Sequence, residues 1–185
     1  MAEPPFVSSE AETRCEAGEA GATSLDFARD ERRGLNGHLL GIARHPFPRA
    51  AMETVDHVDV TVAEGVHGDF RGSLKPGRNR RQVTVMAVED WRDALAELRH
   101  PVSWEQRRVN LLVEGLALCE ITGARIIFAS GLTLEVTGEC DPCSRMEEIA
   151  PGLKGALLPH WRGGVTTKVI EGGRLSVGDA VRIER

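Results

Sequence analysis

A chain of 185 residues, 41% hydrophobic and 28% charged, has the balance of an ordinary globular protein and can bury one core, with or without a tail. Three Trp, five Phe and no Tyr leave few platforms for stacked bases, and a formal net charge of −5 gives no general basic face, which together argue against nucleic-acid binding. No apolar run approaches the roughly 20 residues that cross a bilayer, so no membrane partner is expected.

Residues 1–33 carry eight acids (Glu3, Glu10, Glu12, Glu16, Glu19, Asp26, Asp30, Glu31) against Arg14, Arg29, Arg32 and Arg33, which leaves the rest of the chain close to neutral. The segment shows neither helical nor strand periodicity, so a disordered acidic tail is expected there and a folded domain over 34–185. It has neither the basic start and apolar centre of a signal peptide nor the acid-poor composition of a transit peptide. A cytoplasmic protein with reduced thiols is therefore expected, and Cys15 has no partner nearby in sequence.

The body reads mainly as strands. LLGIARH (39–45) opens it, and VDVTVAEG alternates Val58, Val60 and Val62 with polar residues, the pattern of a half-buried strand. RQVTVMAV repeats the alternation through Val83 and Val85. Val88, Trp91, Leu95 and Leu98 then recur at steps of three or four, which predicts an amphipathic helix over 87–99, stopped by Pro101. NLLV (110–113) and ARIIF (124–128) suit short buried strands. LTLEVT places Leu132, Leu134 and Val136 on one face and polar residues on the other. A second helical region, SRMEEIA, is broken at Pro151-Gly152 and resumes in LKGALL. VTTKVI, Gly172-Gly173 and RLSVGDAVRIE read as a C-terminal hairpin around a glycine turn. The expected fold is mainly β with a few helices, a barrel or closed sheet rather than a repeated βαβ sheet.

Chemistry concentrates in TGECDPCSRMEE (137–148), which sets Cys140 and Cys143 three apart between a strand and a helix. A zinc site would need a second pair of ligands, which Cys119, His67 and His160 do not provide by spacing. A dithiol redox centre fits the local strand–helix setting but not its surroundings. A single thiolate at Cys143 is the third reading, with the helix start and Arg145 as favourable neighbours. GVHGDFRG (65–72) puts Asp69 and Arg71 in a glycine-rich turn that would let a ligand approach the backbone. RRVN (107–110) sets Arg107, Arg108 and Asn110 before an apolar strand, and alternation would point Arg108 and Asn110 to one side, suited to an anionic, polar ligand. WRGG (161–164) reads as a structural turn.

Taken in order, GVHGDFRG, RQVTVMAVED, RRVNLLVEGLAL, TGARIIFASGLTLEVTGECDPCSRME, PGLKGALLPHWRGGVTTKV and EGGRLSVGDAVRI resemble the MOSC domain, named for the C-terminal domain of molybdenum cofactor sulfurases, in its small bacterial-type members. The resemblance covers most of residues 38–183. It implies a MOSC-type β-barrel that binds the molybdenum cofactor, a pyranopterin with a dithiolene and a phosphate. The family cysteine matches Cys143, a molybdenum ligand in relatives similar to the amidoxime-reducing component and a proposed sulfur carrier in sulfurase-type members. Arg108 and Asn110 match the family's Arg-x-Asn motif at the cofactor site, with Arg107, Asp69 and Arg71 as further cofactor-binding candidates. The implied activity is reduction of N-hydroxylated small molecules using a separate electron-donor protein; the alternative is a carrier handing sulfur or cofactor to a receiving enzyme. Two departures stand out: Phe70 separates Asp69 from Arg71, where the family often has Gly-Asp-Arg, and Asp141 replaces the serine two residues before the cysteine.

Overall fold

The computed structural model describes residues 34–73, 80–98 and 100–185, so the acidic segment 1–33 lies outside the described residues. The strands are β1 (Asn36–Arg44), β2 (Glu53–Val55), β3 (His57–Thr61), β4 (Gly65–Val66), β5 (Val83–Ala87), β6 (Leu111–Glu114), β7 (Arg125–Phe128), β8 (Thr133–Glu139), β9 (Val165–Glu171), β10 (Gly173–Ser176) and β11 (Ala180–Glu184). The helices are α1 (Val88–Leu98), α2 (Arg145–Ile149) and α3 (Leu153–Ala156).

Among the described residues, seven strands close a barrel in the order β11, β7, β8, β9, β5, β6, β1, with β1 returning to β11 through Asn36–Arg182 and His38–Ala180 pairs. Every neighbour is antiparallel except β5 and β6, which run parallel because α1 carries the chain across between them. Strand β2 adds to the free half of the β1 edge, and β3, β4 and β10 form a separate small sheet. The barrel interior is filled by Val83, Val85, Leu111, Val113, Ile126, Phe128, Leu134, Val136 and Val165. Outside it, α1 and the α2–α3 pair cover β5 and β6, burying Met86, Trp91, Ala94, Val109, Leu112, Met146, Leu153 and Leu157 in a second core. This cover explains why β5 is buried at all five positions instead of alternating: its outer face meets a helix layer, not water.

Leu132, just before β8, and Leu134 and Val136 within it are buried as expected, but Thr133, expected on the polar face, is buried too; Val62 is exposed because β3 ends at Thr61. The expected C-terminal hairpin is corrected. β9 pairs with β8 and β5, β10 pairs with β3, and β11 pairs with β7 and β1, so the two arms never meet. Gly172 and Gly173 serve close approach instead of a turn. A Cβ at Gly172 would lie 2.9 Å from the Val60 carbonyl oxygen, and one at Gly173 would lie 3.0 Å from the Leu132 nitrogen.

Candidate functional site

Four segments meet at one end of the barrel: the end of β1 at His45, the turn Val66–Arg71, the approach to β6 over Arg107–Asn110, and the loop Cys140–Ser144 after β8. Asn110 ties three of the strands there. Its Oδ1 accepts the Thr84 N–H (3.1 Å) and hydroxyl (2.9 Å), its Nδ2 donates to the Ala43 carbonyl (3.2 Å), and its own carbonyl accepts the Ala43 N–H. The residue is buried, so its amide works inside the barrel wall and fixes β1 against β5 and β6. The alternation that would have set it beside Arg108 does not apply, because Arg108 has φ 66° and caps the 3-10 turn Trp104–Arg107; the strand begins only at Leu111.

Arg107 is also built into the wall. It is 3% exposed, and its Nη2 donates to the Cys140 carbonyl (2.6 Å) and the Gly163 carbonyl (2.9 Å), with Cys140 Sγ at 3.5 Å. Cys140 in turn donates its N–H to Gly164 O. Glycine at 163 is required by this closeness, since a Cβ there would stand 2.6 Å from the Cys140 carbonyl oxygen. The clamp holds the start of the cysteine loop against the 163–164 turn. As a result the two thiols have opposite surroundings: Cys140 is 1% exposed, and Cys143 is exposed. A dithiol centre that uses the first cysteine as its nucleophile would need the reverse arrangement. The helix after Cys143 has five residues, too short for a macrodipole argument, and Arg145, two residues after Cys143, is close enough to Arg108 for the two charges to repel.

Arg108 differs from Arg107. Its Nη1 donates to Ala50 O (2.8 Å), while Nε and Nη2 are buried and have no hydrogen-bond partner. Burial, then repulsion from Arg145, pushes its pKa below the ordinary arginine value against the pull of Asp69. Arg71 is likewise pushed down by burial, then by Arg81 and Arg108. Arginines stay charged under such shifts, so this barrel end holds positive charge that the surrounding protein only partly balances. Asp69 does not face outward to a ligand: its carboxylate accepts the His45 backbone N–H (3.1 Å), the His45 ring (2.8 Å) and the Arg71 N–H (2.9 Å). It therefore shapes the turn that carries Arg71.

Asp141 is exposed and interacts with the Glu139 carboxyl, whose pKa is raised by burial first and then by Asp141. Among the described residues there is no group of three or more His, Cys, Asp or Glu side chains placed to hold a metal ion, which leaves the zinc reading without a ligand set. No helix among them is long and apolar enough to cross a membrane. A surface hollow of about 410 Å³ lies elsewhere, over the β1–β11 seam beside Glu114 and Arg182.

Of the residues singled out in the sequence, the structure thus brings Arg108, Arg71, Asp69 and the Cys140–Cys143 loop to one barrel end. It assigns Arg107, Asn110 and Asp69 to holding that end in shape. His45 escaped the sequence reading. A histidine closing an apolar strand before a proline gives no signal by itself, and its partner Asp69 lies 24 residues away.

A family model described as MOSC domain matches residues 72–182. The chain belongs to the MOSC domain family. This MOSC protein is 29% identical over 119 residues to YuaD of Bacillus subtilis (strain 168), whose name places it provisionally in metal-sulfur cluster biosynthesis; the match spans 57% of this chain and 61% of YuaD's length. The crystal structure of YuaD from Bacillus subtilis superimposes with a TM-score of 0.69 at 25% identity, covering 80% of this chain and 95% of that one. YiiM from Escherichia coli shares the fold with a TM-score of 0.59 at 15% identity, over 80% of this chain and 70% of that one. The mainly β barrel expected from the sequence is the barrel of this family.

Proposed function

We propose that this MOSC protein binds the molybdenum cofactor, with Cys143 as its thiolate ligand, and reduces N-hydroxylated compounds with electrons from a separate donor protein. The observation that carries the reading is an exposed thiol at the same barrel end as an arginine with two buried, unpartnered N–H groups. The donor set suits the group. A thiolate is a soft ligand for molybdenum, and a guanidinium edge matches a pterin phosphate.

Bound there, the cofactor would supply the two-electron redox chemistry. The chain's own residues have defined tasks around it. Arg107 anchors the cysteine loop so that Cys143 is presented outward while Cys140 stays enclosed. Arg108 and Arg71 offset the negative charge of the phosphate, and Asn110 keeps the strand ends that carry Arg108 in register. The separate electron donor is a partner required by this reading.

Purified from a host that makes the cofactor, the protein should carry molybdenum and pterin and, with a chemical reductant, convert an N-hydroxylated base analogue to the amine. Folded protein lacking both metal and pterin would refute the reading.

A second reading is supported by the exposure of Cys143 and by the name of YuaD: a carrier that holds sulfur as a Cys143 persulfide, or holds the cofactor, for a receiving enzyme. Mass spectrometry without reductant, after incubation with a persulfide donor, separates the two, because the carrier gains one sulfur on Cys143. The dithiol reading has the least support, since Cys140 is enclosed behind Arg107.

A further inference from the structure

His45 closes β1 with its side chain 1% exposed, against an Asp69 side chain that is 0% exposed. Its Nδ1–H donates to Asp69 Oδ2 at 2.8 Å, and that oxygen also accepts the His45 backbone N–H. The carboxylate so fixes the tautomer: the proton sits on Nδ1, and Nε2 keeps its lone pair. The ring is further held edge-on to Phe70, with centroids 5.5 Å apart. Nε2 is buried and has no hydrogen-bond partner.

The strand register brings the end of β1 and the approach to β6 together. β1 and β6 run antiparallel with Ile42 across from Leu111, and Asn110 bonds to Ala43 at the next step. Beyond these pairs both strands end, and His45 and Arg108 meet through Asp69: the carboxylate that holds the His45 ring also attracts Arg108, and the Arg108 charge acts on His45. The unpartnered Nε and Nη2 of Arg108 form one edge of the guanidinium, the edge that takes two oxygens of a single oxyanion. The charged groups acting on His45 are Asp69 and Arg71 from the Val66–Arg71 turn and Arg108 from the approach to β6. Burial lowers its pKa most, the two arginines lower it further, and Asp69 opposes them, so the anion-free ring is neutral. An incoming dianion would reverse the balance by cancelling the arginine charge.

We propose that His45, held by Asp69, is the proton-accepting member of an oxyanion site shared with Arg108. A phosphate-type dianion binds across Arg108 Nε and Nη2 while a proton from solvent adds to the Nε2 lone pair of His45, and the new N–H becomes a third donor to the anion. This rests on the reading of Arg108 as the phosphate-binding arginine and adds to it a coupling between anion binding and proton uptake.

Sulfate tests it, because it is a tetrahedral dianion whose charge does not change across the working range. Calorimetry on the cofactor-free protein between about pH 8.5 and pH 6 should show affinity rising as pH falls, by roughly ten-fold per pH unit at the steepest point, the slope of one linked proton. Two buffers of different ionisation enthalpy should report uptake approaching one proton per sulfate, a measurement on the wild type that needs no variant to fold. His45→Gln should bind sulfate with no pH dependence, and Arg108→Met should lose sulfate throughout. Wild-type binding without proton uptake, a retained slope in His45→Gln, unchanged affinity in Arg108→Met, or no sulfate binding at about pH 6 each overturns the proposal. Cofactor-loaded protein that no longer takes sulfate supports the cofactor's phosphate as the anion, and loaded protein that still does overturns that assignment. Proton-coupled sulfate binding by a protein that carries no molybdenum or pterin from a competent host leaves the anion site standing and refutes the cofactor reading alone.

Discussion

Replacing Arg107 by methionine tests how the thiol loop is held. Methionine keeps much of the buried hydrocarbon stem but removes the donor to two enclosed carbonyls, those of Cys140 at 2.6 Å and Gly163 at 2.9 Å. Each orphaned carbonyl costs about 1–3 kcal/mol. Part of that is offset, because a buried guanidinium with an unpartnered Nε no longer has to be desolvated. A net loss of about 2–4 kcal/mol is expected, equivalent to a fall in Tm of about 5–15 °C for a domain of this size. Urea unfolding at neutral pH measures it, with an unchanged m-value showing that the native state is otherwise intact. Alkylation under native conditions supplies a local readout: Cys140 should resist labelling in the wild type and react faster in Arg107→Met, while Cys143 reacts in both. A loss below about 1 kcal/mol, with Cys140 still protected, would refute the clamp.

Two further changes probe the same framework. Gly172→Ala places a methyl group 2.9 Å from the Val60 carbonyl oxygen, so it should lower Tm by separating the small sheet from the barrel; an unchanged melting curve would contradict close approach as the reason for glycine there. Glu139→Gln should stabilise the protein at neutral pH. The carboxyl's folded pKa is raised above its unfolded value, by burial and then Asp141, so ionisation costs stability as pH rises through the folded pKa. That cost disappears toward about pH 4, where glutamate is largely protonated in both states. Urea titrations at the two pH values check the sign, and equal stability of the two proteins at pH 7 would count against it.

Much of the barrel was legible because its signals are local. Val58 and Val60, Leu132 to Val136, and Val88 to Leu98 each show a period that one layer of packing imposes, and the structure places strands and a helix over them. What failed depended on partners distant in sequence. Gly172-Gly173 looked like a hairpin turn because nothing nearby in the chain reveals that Val60 and Leu132 crowd it. Asn110 was read by strand alternation, which a left-handed Arg108 interrupts two residues earlier. At the site, the residue types were visible but their division of labour was not. Arg107 and Arg108 are identical in sequence terms, yet one is enclosed against backbone carbonyls and the other keeps two donors free, a difference set where the 3-10 turn ends, with Arg107 as its last residue and Arg108 as its left-handed cap. His45 is placed by Asp69, 24 residues away, which no local pattern reveals.

The most direct measurement is molybdenum and pterin content in three proteins expressed in one cofactor-competent host: wild type, Cys143→Ser and Cys140→Ser. If Cys143 is the thiolate ligand, the wild type and Cys140→Ser should carry molybdenum at similar levels while Cys143→Ser loses it. Equal molybdenum in folded Cys143→Ser and wild type, or none in any of the three, would contradict the assignment.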